Sequence, residues 1–260
     1  MLNRTVLGIL FLSSGVALAQ AASGVNGTSQ LQAPTTLPVS FTNTVSADHS
    51  HSGDPVIART TQSVRLANGT VVPSGTKITG HVIEANPFVF DKTPYAIQKQ
   101  SRLSIQFDSL QLDGQAVPLN ITVRAMADPL TTSHARMPNG NDDSSSPYVT
   151  QIGGDQLNPS QTEVINMDGD VVAYNRHGGV YAHLISNRGC DASPVEVSVG
   201  IYSASACGLY GFTAVSAAEM GSPAKPSTLA LVSTRTSPKI WKYSTALLEV
   251  LSDRQTVASR

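Results

Sequence analysis

Beyond its first nineteen residues this 260-residue chain has no long hydrophobic run, no run of Lys or Arg, and only two cysteines. Charged residues make up 13% of it and aromatic residues 5%, with a single Trp. Each scarcity excludes something. A sequence-independent grip on nucleic acid needs clustered basic residues. Here 17 Lys and Arg face 18 Asp and Glu, and setting aside Arg4 of the leader leaves a net charge of −2. Two cysteines cannot close a tetrahedral zinc shell. The motifs of familiar chemistry are missing too: no Gly-x-Ser-x-Gly elbow, no Cys-x-x-Cys pair, no His-Glu-x-x-His and no glycine-rich phosphate loop. The thin aromatic complement leaves little for a sugar-stacking platform.

What is present starts with an export signal. Arg4 supplies a positive n-region, residues 6–12 a short apolar stretch, and Ala17-Leu18-Ala19 the small residues a signal peptidase requires. Ser13, Ser14 and Gly15 interrupt the run before it reaches the ~20 residues of a membrane span. The reading is a signal peptide over 1–19, a mature chain from Gln20, and no transmembrane helix after cleavage. Cys190 and Cys207 then read as one disulfide, as suits an exported chain, closing a loop that stabilises by about 3 kcal/mol in the chain-entropy account.

Residues 20–54 are rich in Ser, Thr, Ala and Gly without a sustained period and read as a flexible leader. From Pro55 the chain alternates. Val64 and Leu66 precede an Asn68-Gly69 turn; Val71-Val72-Pro73 ends a strand, and Gly75 releases the next turn. Ile78, Gly80 and Val82 alternate with Lys77, Thr79 and His81. After an irregular stretch at 86–99, Leu103, Ile105 and Phe107 point one way, with a bulge at Ser109-Leu110. Asp113-Gly114 marks a hairpin, its loop slightly longer than two residues, and residues 117–125 return. Residues 129–160 read as a mobile loop. Strands follow at 170–175, 179–186 and 195–204, a two-turn helix at 213–220 capped by Gly221, and a strand at 229–233. Residues 239–251 fit either helix or strand. Trp241, flanked by Lys239, Lys242 and Tyr243, reads as a partly buried strand residue or an exposed anchor.

The fold class is therefore all-β, a twisted β-barrel or β-sandwich with long irregular loops and at most one short helix. It forms a single domain over 55–252 in two halves, 55–128 and 161–252.

Val72-Pro73-Ser74-Gly75-Thr76, the strand glycine Gly80, the arginine-led strand from Arg102 through Phe107, and Leu110 with Asp113-Gly114 together resemble the C-terminal β-domain of TrbI-type proteins. Those proteins are scaffold subunits of conjugation and type IV secretion machines. Residues 240–250 resemble the family's terminal strand pair, with Ser244 where a glycine is expected, and this favours strands over 239–251. The resemblance covers about the middle third of the chain and this tail. It implies that Pro73, Gly75, Gly80, Asp113 and Gly114 are scaffold turns. The family's cytoplasmic segment, inner-membrane helix and long apolar helical hairpin have no counterpart here.

Two residue groups are candidates for chemistry. His49 and His51 with Asp48 and Asp54 place two imidazoles on one side of an extended segment, a donor set for Cu or Zn. His177-Gly178-Gly179 with His183, downstream of Asp168 and Asp170, can form an anion-binding turn or an acid–base pair. Asp168-Gly169-Asp170 lacks the later ligands of a calcium loop and reads as a hairpin turn. The functional expectation is an exported, non-enzymatic module, periplasmic, outer-membrane-associated or secreted, that works through a protein partner or self-association and needs no cofactor. The alternative is a secreted hydrolase or carbohydrate-binding protein with its site near Asp170, His177 and His183.

Overall fold

The computed structural model describes residues 31–66, 68–94, 97–138, 148–158 and 161–252. The architecture is nearly all β, with one short helix. The main sheet has ten strands and curls into a nearly closed barrel. Along the chain it begins with β1 (Thr36–Phe41). A short β2 (Val45–Ser46) precedes β3 (Pro55–Thr60), and the β4 (Val64–Arg65) and β5 (Val71–Val72) hairpin follows. Next come the long strands β6 (Lys77–Asn86) and β7 (Ser101–Leu112), then β8 (Gln115–Pro118) and β9 (Ile121–Ala127). Helix α1 (Pro129–His134) opens on Asp128, whose carboxylate accepts from Thr131 N, with Pro129 in the first turn where its missing N–H costs nothing.

A second, six-stranded sheet is a plain meander of neighbours. It comprises β10 (Val149–Thr150), β11 (Gln156–Leu157), β12 (Glu163–Ile165), β13 (Val171–Arg176), β14 (Gly179–His183) and β15 (Glu196–Ser198). The chain then returns to the barrel through β16 (Gly208–Tyr210), β17 (Ser216–Glu219), β18 (Thr228–Ser233), β19 (Lys239–Ile240) and β20 (Thr245–Val250). The barrel order is β16-β9-β20-β1-β3-β6-β7-β18-β17, with β8 beside β7.

The seam closes by hydrogen bonds rather than a regular ladder. Val123 N donates to Met220 O at 2.6 Å and Ser227 N to Ile121 O at 2.7 Å. Gly221 sits on that seam with φ +88°, and a Cβ there would lie 2.7 Å from Ile121 O and 2.8 Å from the Thr122 Cα. Eight of these strands, from β9 through β20 and round to β17, enclose a space that side chains just fill. Inward residues of every long strand do so, among them Phe41, Ile78, Phe107, Leu229 and Leu248. β9 and β20 bury both faces. Their outward residues Ala125, Ala127 and Leu247 pack with Tyr202 and Ile152 on the segments flanking the second sheet, which is why these strands read as unbroken apolar runs.

The structure corrects several expectations. The stretch expected to be a flexible leader through 54 supplies β1, which pairs with β20 on one side and β3 on the other. Within the expected mobile loop 129–160, α1, β10 and β11 are ordered elements; residues 139–147 and 159–160 lie outside the described set. The division into halves at 55–128 and 161–252 does not match the sheets, because the barrel draws strands from both halves and the second sheet spans 149–198. The expected helix at 213–220 contains β17 instead. Ala214 has φ +58°, which no helix tolerates, and pairing with β18 outweighs the helix preference of Ala and Glu. The Asp113-Gly114 loop has two residues, both at positive φ, with Leu112 opposite Gln115, as a type I′ hairpin requires. Residues 239–251 hold the strands β19 and β20. The expected export signal at 1–19 lies outside the described residues.

Candidate functional site

The residues singled out from the sequence do not converge. His177 and Gly178, at φ +55° and +76°, are the two central residues of the β13–β14 hairpin, where Arg176 pairs with Gly179. This is a turn geometry, and the exposed His177 ring packs edge-on against Tyr181 at 5.7 Å. Asp170 lies at the other end of β13. The six residues of β13 separate it from His177 by roughly 20 Å. Asp168 N and Asp170 N both donate to Asn166 Oδ1, so this segment is an exposed turn held by an asparagine. His183 is exposed and faces Glu196 on β15 at 3.9 Å. These three side chains occupy open turns and a sheet surface.

Asp48 and His49 lie in a turn, with His49 N and Ser50 N both directed at Ser46 O. The extended geometry that would align His49 with His51 is therefore absent. His51 Nδ1 is 3.9 Å from Asp54 Oδ2 in solvent. Among the described residues no group of three or more His, Cys, Asp or Glu comes together as a metal site.

Cys190 and Cys207 are disulfide-bonded, with their Cα atoms 6.0 Å apart. Cys190 belongs to a tight turn in the β14–β15 connection, its N–H donating to Asn187 O at 2.8 Å. Cys207 immediately precedes β16, which runs parallel to β9 in register Gly208↔Ala125. The bond thus fastens the second sheet's longest connection to the flank of the barrel.

The most distinctive polar site lies beside this disulfide, and the motif search missed it. Between Leu247↔Ala125 and Leu248↔Val123 the register shifts, leaving Arg124 as the extra residue of a bulge in β9. A bulge re-aims its side chain. The Arg124 guanidinium is wholly buried, with NH2 donating to Ile185 O at 2.7 Å and NH1 to Asp191 O at 2.6 Å. NH1 also reaches Glu249 Oε2 on β20 at 3.4 Å. The planar fork of Arg, with several donors at fixed angles, suits two carbonyls and a carboxylate where a Lys point charge would not. Burial pushes the Glu249 carboxyl above the usual range, opposed by Arg124 and reinforced by Asp191. A groove of about 470 Å³ runs alongside, its walls including Thr122, Arg188, Cys190, Met220 and Glu249.

Each member of this pair, though not their pairing, leaves a mark in the sequence. Arg124 interrupts Ile-Thr-Val-Arg-Ala-Met-Ala and Glu249 interrupts Ala-Leu-Leu-Glu-Val, each a lone charge inside an apolar strand. Chemically the arrangement is a clasp: the guanidinium is engaged by groups from the β14–β15 connection and from β20.

The second sheet is also tied down at its far side. Thr36 Oγ1 donates to Ser198 O, the Gln62 side chain bonds the Ser198 hydroxyl, and Tyr181 OH donates to Ser63 O at 3.3 Å. No helix among the described residues is long and apolar enough to cross a membrane. In comparisons with known proteins, no family model, no curated protein and no solved structure matches the chain.

Proposed function

We propose that this protein is an exported, non-enzymatic β-module of the cell envelope or extracellular space, working through protein contacts in a scaffold role of the TrbI type. One observation carries the reading: the barrel interior is filled by its own side chains, from Leu37 on β1 to Val250 on β20, so function falls to the outer surface. The disulfide and the buried clasp support it, because they spend buried polar groups on holding two sheets in fixed relation. The turn residues behind the resemblance fit a scaffold as well. Gly75 and Gly114 sit at positive φ in open turns, and Gly80 is where β7 comes too close for a side chain.

The test is envelope cross-linking of the exported protein together with its mass in solution by light scattering. A defined oligomer or a specific cross-linked partner is expected. A monomer that cross-links to nothing in the envelope would overturn the reading.

A further inference from the structure

Exposed apolar side chains gather at one end of the barrel. At that end β6 passes to β7, with Asn86 opposite Arg102 and Ser101 opposite Ser233 on β18. The connecting arm, residues 87–100, carries Val89, Phe90 and Ile97 at 69%, 75% and 65% exposure. Polar groups knit the described residues of the arm together. Gln98 Nε2 donates to Asp91 O and Thr93 O, both at 2.9 Å, and Thr93 N donates to Asp91 Oδ1 at 2.8 Å. These bonds also hold the Asp91 carboxyl below its usual range.

A second segment, 234–244, adjoins the arm through Phe88 N, which donates to Ser237 Oγ at 2.8 Å. It adds Trp241 and Tyr243, 38% and 60% exposed. Lysines stand over both rings: Lys239 Nζ is 5.9 Å from the Trp241 ring centre and Lys242 Nζ 4.8 Å from that of Tyr243. Together the two segments contain Lys92, Lys99, Arg235, Lys239 and Lys242 against the single acid Asp91. The neighbouring loop between β2 and β3 carries Asp48 and Asp54 with His49 and His51, so the positive excess belongs to the two apolar segments. Thr36 and Glu249 pair at the opposite end of the barrel, so β1 begins and β20 ends away from this surface.

We infer that this end docks on an anionic phospholipid surface, its apolar tips entering the headgroup boundary and its lysines meeting lipid phosphates. Aromatic rings flanked by Lys are what a membrane–water boundary favours, and basic residues near an anionic leaflet attract it. The recess between the segments, about 270 Å³, is below the roughly 300–1,000 Å³ of ligand pockets, so projecting tips are what the end offers. This surface is independent of the proposed scaffold role, which can be served by the rest of the exterior.

Flotation of the chain from Gln20 onward decides it, residues 1–19 being left out because their apolar run would itself bind lipid. Vesicles of phosphatidylglycerol in phosphatidylcholine are compared with phosphatidylcholine alone. Binding is expected only to the anionic vesicles, weakening as salt rises. The Lys239→Gln and Lys242→Gln changes should each lower partitioning about five-fold. Phe90→Ala should lower it roughly ten-fold, with unchanged thermal melting showing that each variant folds. Equal binding to both vesicle types, or no binding, would overturn the inference. So would a photo-cross-linker at position 90 that labels an envelope protein without any flotation, which would assign the surface to a protein partner instead. Loss of flotation with cross-linked partners retained elsewhere leaves the scaffold reading standing, so the two fail separately.

Discussion

Removing the guanidinium of Arg124 strands two main-chain carbonyls and a carboxylate at once. Either change leaves one buried charge uncompensated, but loss of the cation strands two main-chain carbonyls as well. We therefore expect Arg124→Met to destabilise by about 3 kcal/mol. Glu249→Gln should cost less, because the guanidinium keeps both of its carbonyl contacts. Urea denaturation of the oxidised protein measures both, and equal losses would show that the carbonyl contacts contribute little. The pH dependence has a defined sign. Because burial raises the Glu249 carboxyl in the fold, the folded state binds its proton more readily than the unfolded chain. Stability attributable to this group is thus lowest above the folded pKa. It rises as pH falls through that value and levels off below the ordinary carboxylate range. Glu249→Gln abolishes that component, so wild type should gain stability relative to the variant on mild acidification.

At the scale of elements, the glycines divide into two kinds that a sequence does not distinguish. Gly75 has φ +83° with open space where a Cβ would go, while Gly80 has an ordinary φ but a Cβ there would overlap the Gln106 carbonyl oxygen. Gly75→Ala should cost about 1–2 kcal/mol from the left-handed backbone alone. Gly80→Ala must push β7 away from β6, and should cost at least as much as an overpacked core, about 3 kcal/mol. Thermal melts of the two variants rank them, and a larger loss at Gly75 would contradict the close approach of β6 and β7. The strands around these glycines were legible because one face is core and the other is not: Leu103, Ile105 and Phe107 alternate, as do Ile78, Gly80 and Val82. β1 was not. It alternates Leu37, Val39 and Phe41, but Pro38 between them argues against a central strand, and the structure accommodates it by using its carbonyl, which accepts from Thr61 N. α1 was missed although Asp128-Pro129 is a start signal, because the surrounding polar composition reads as loop. Of the candidate site, the disulfide was legible from cysteine count alone. The clasp was not, since Arg124 and Glu249 are 125 residues apart and meet only through the register of β9 with β20.

Over the whole molecule, the buried side chains form three clusters. The barrel lumen holds one, the second sheet another built on Val164, Ala173, Val180 and Val197, and Ala125, Ala127, Ile152, Tyr202 and Leu247 a third on the outer face of β9 and β20; none includes a cysteine. The disulfide and the Arg124 clasp join the β14–β15 connection to the barrel wall, so their loss should weaken that junction before it weakens the barrel. Cys190→Ser with Cys207→Ser is expected to remove about 3 kcal/mol, the loop entropy of a bridge spanning 17 residues. Hydrogen exchange gives the location. Amides of β14, β15 and the connection between them should lose protection in the double variant. Those of β1, β3 and β20, whose inward side chains belong to the lumen, should keep most of theirs. Adding Arg124→Met should deepen the loss in the same strands by less than the sum of the separate effects, because both act on the β14–β15 connection. Uniform loss across both sheets would mean that barrel and second sheet unfold as one cooperative unit, with the bridge stabilising the whole rather than the junction.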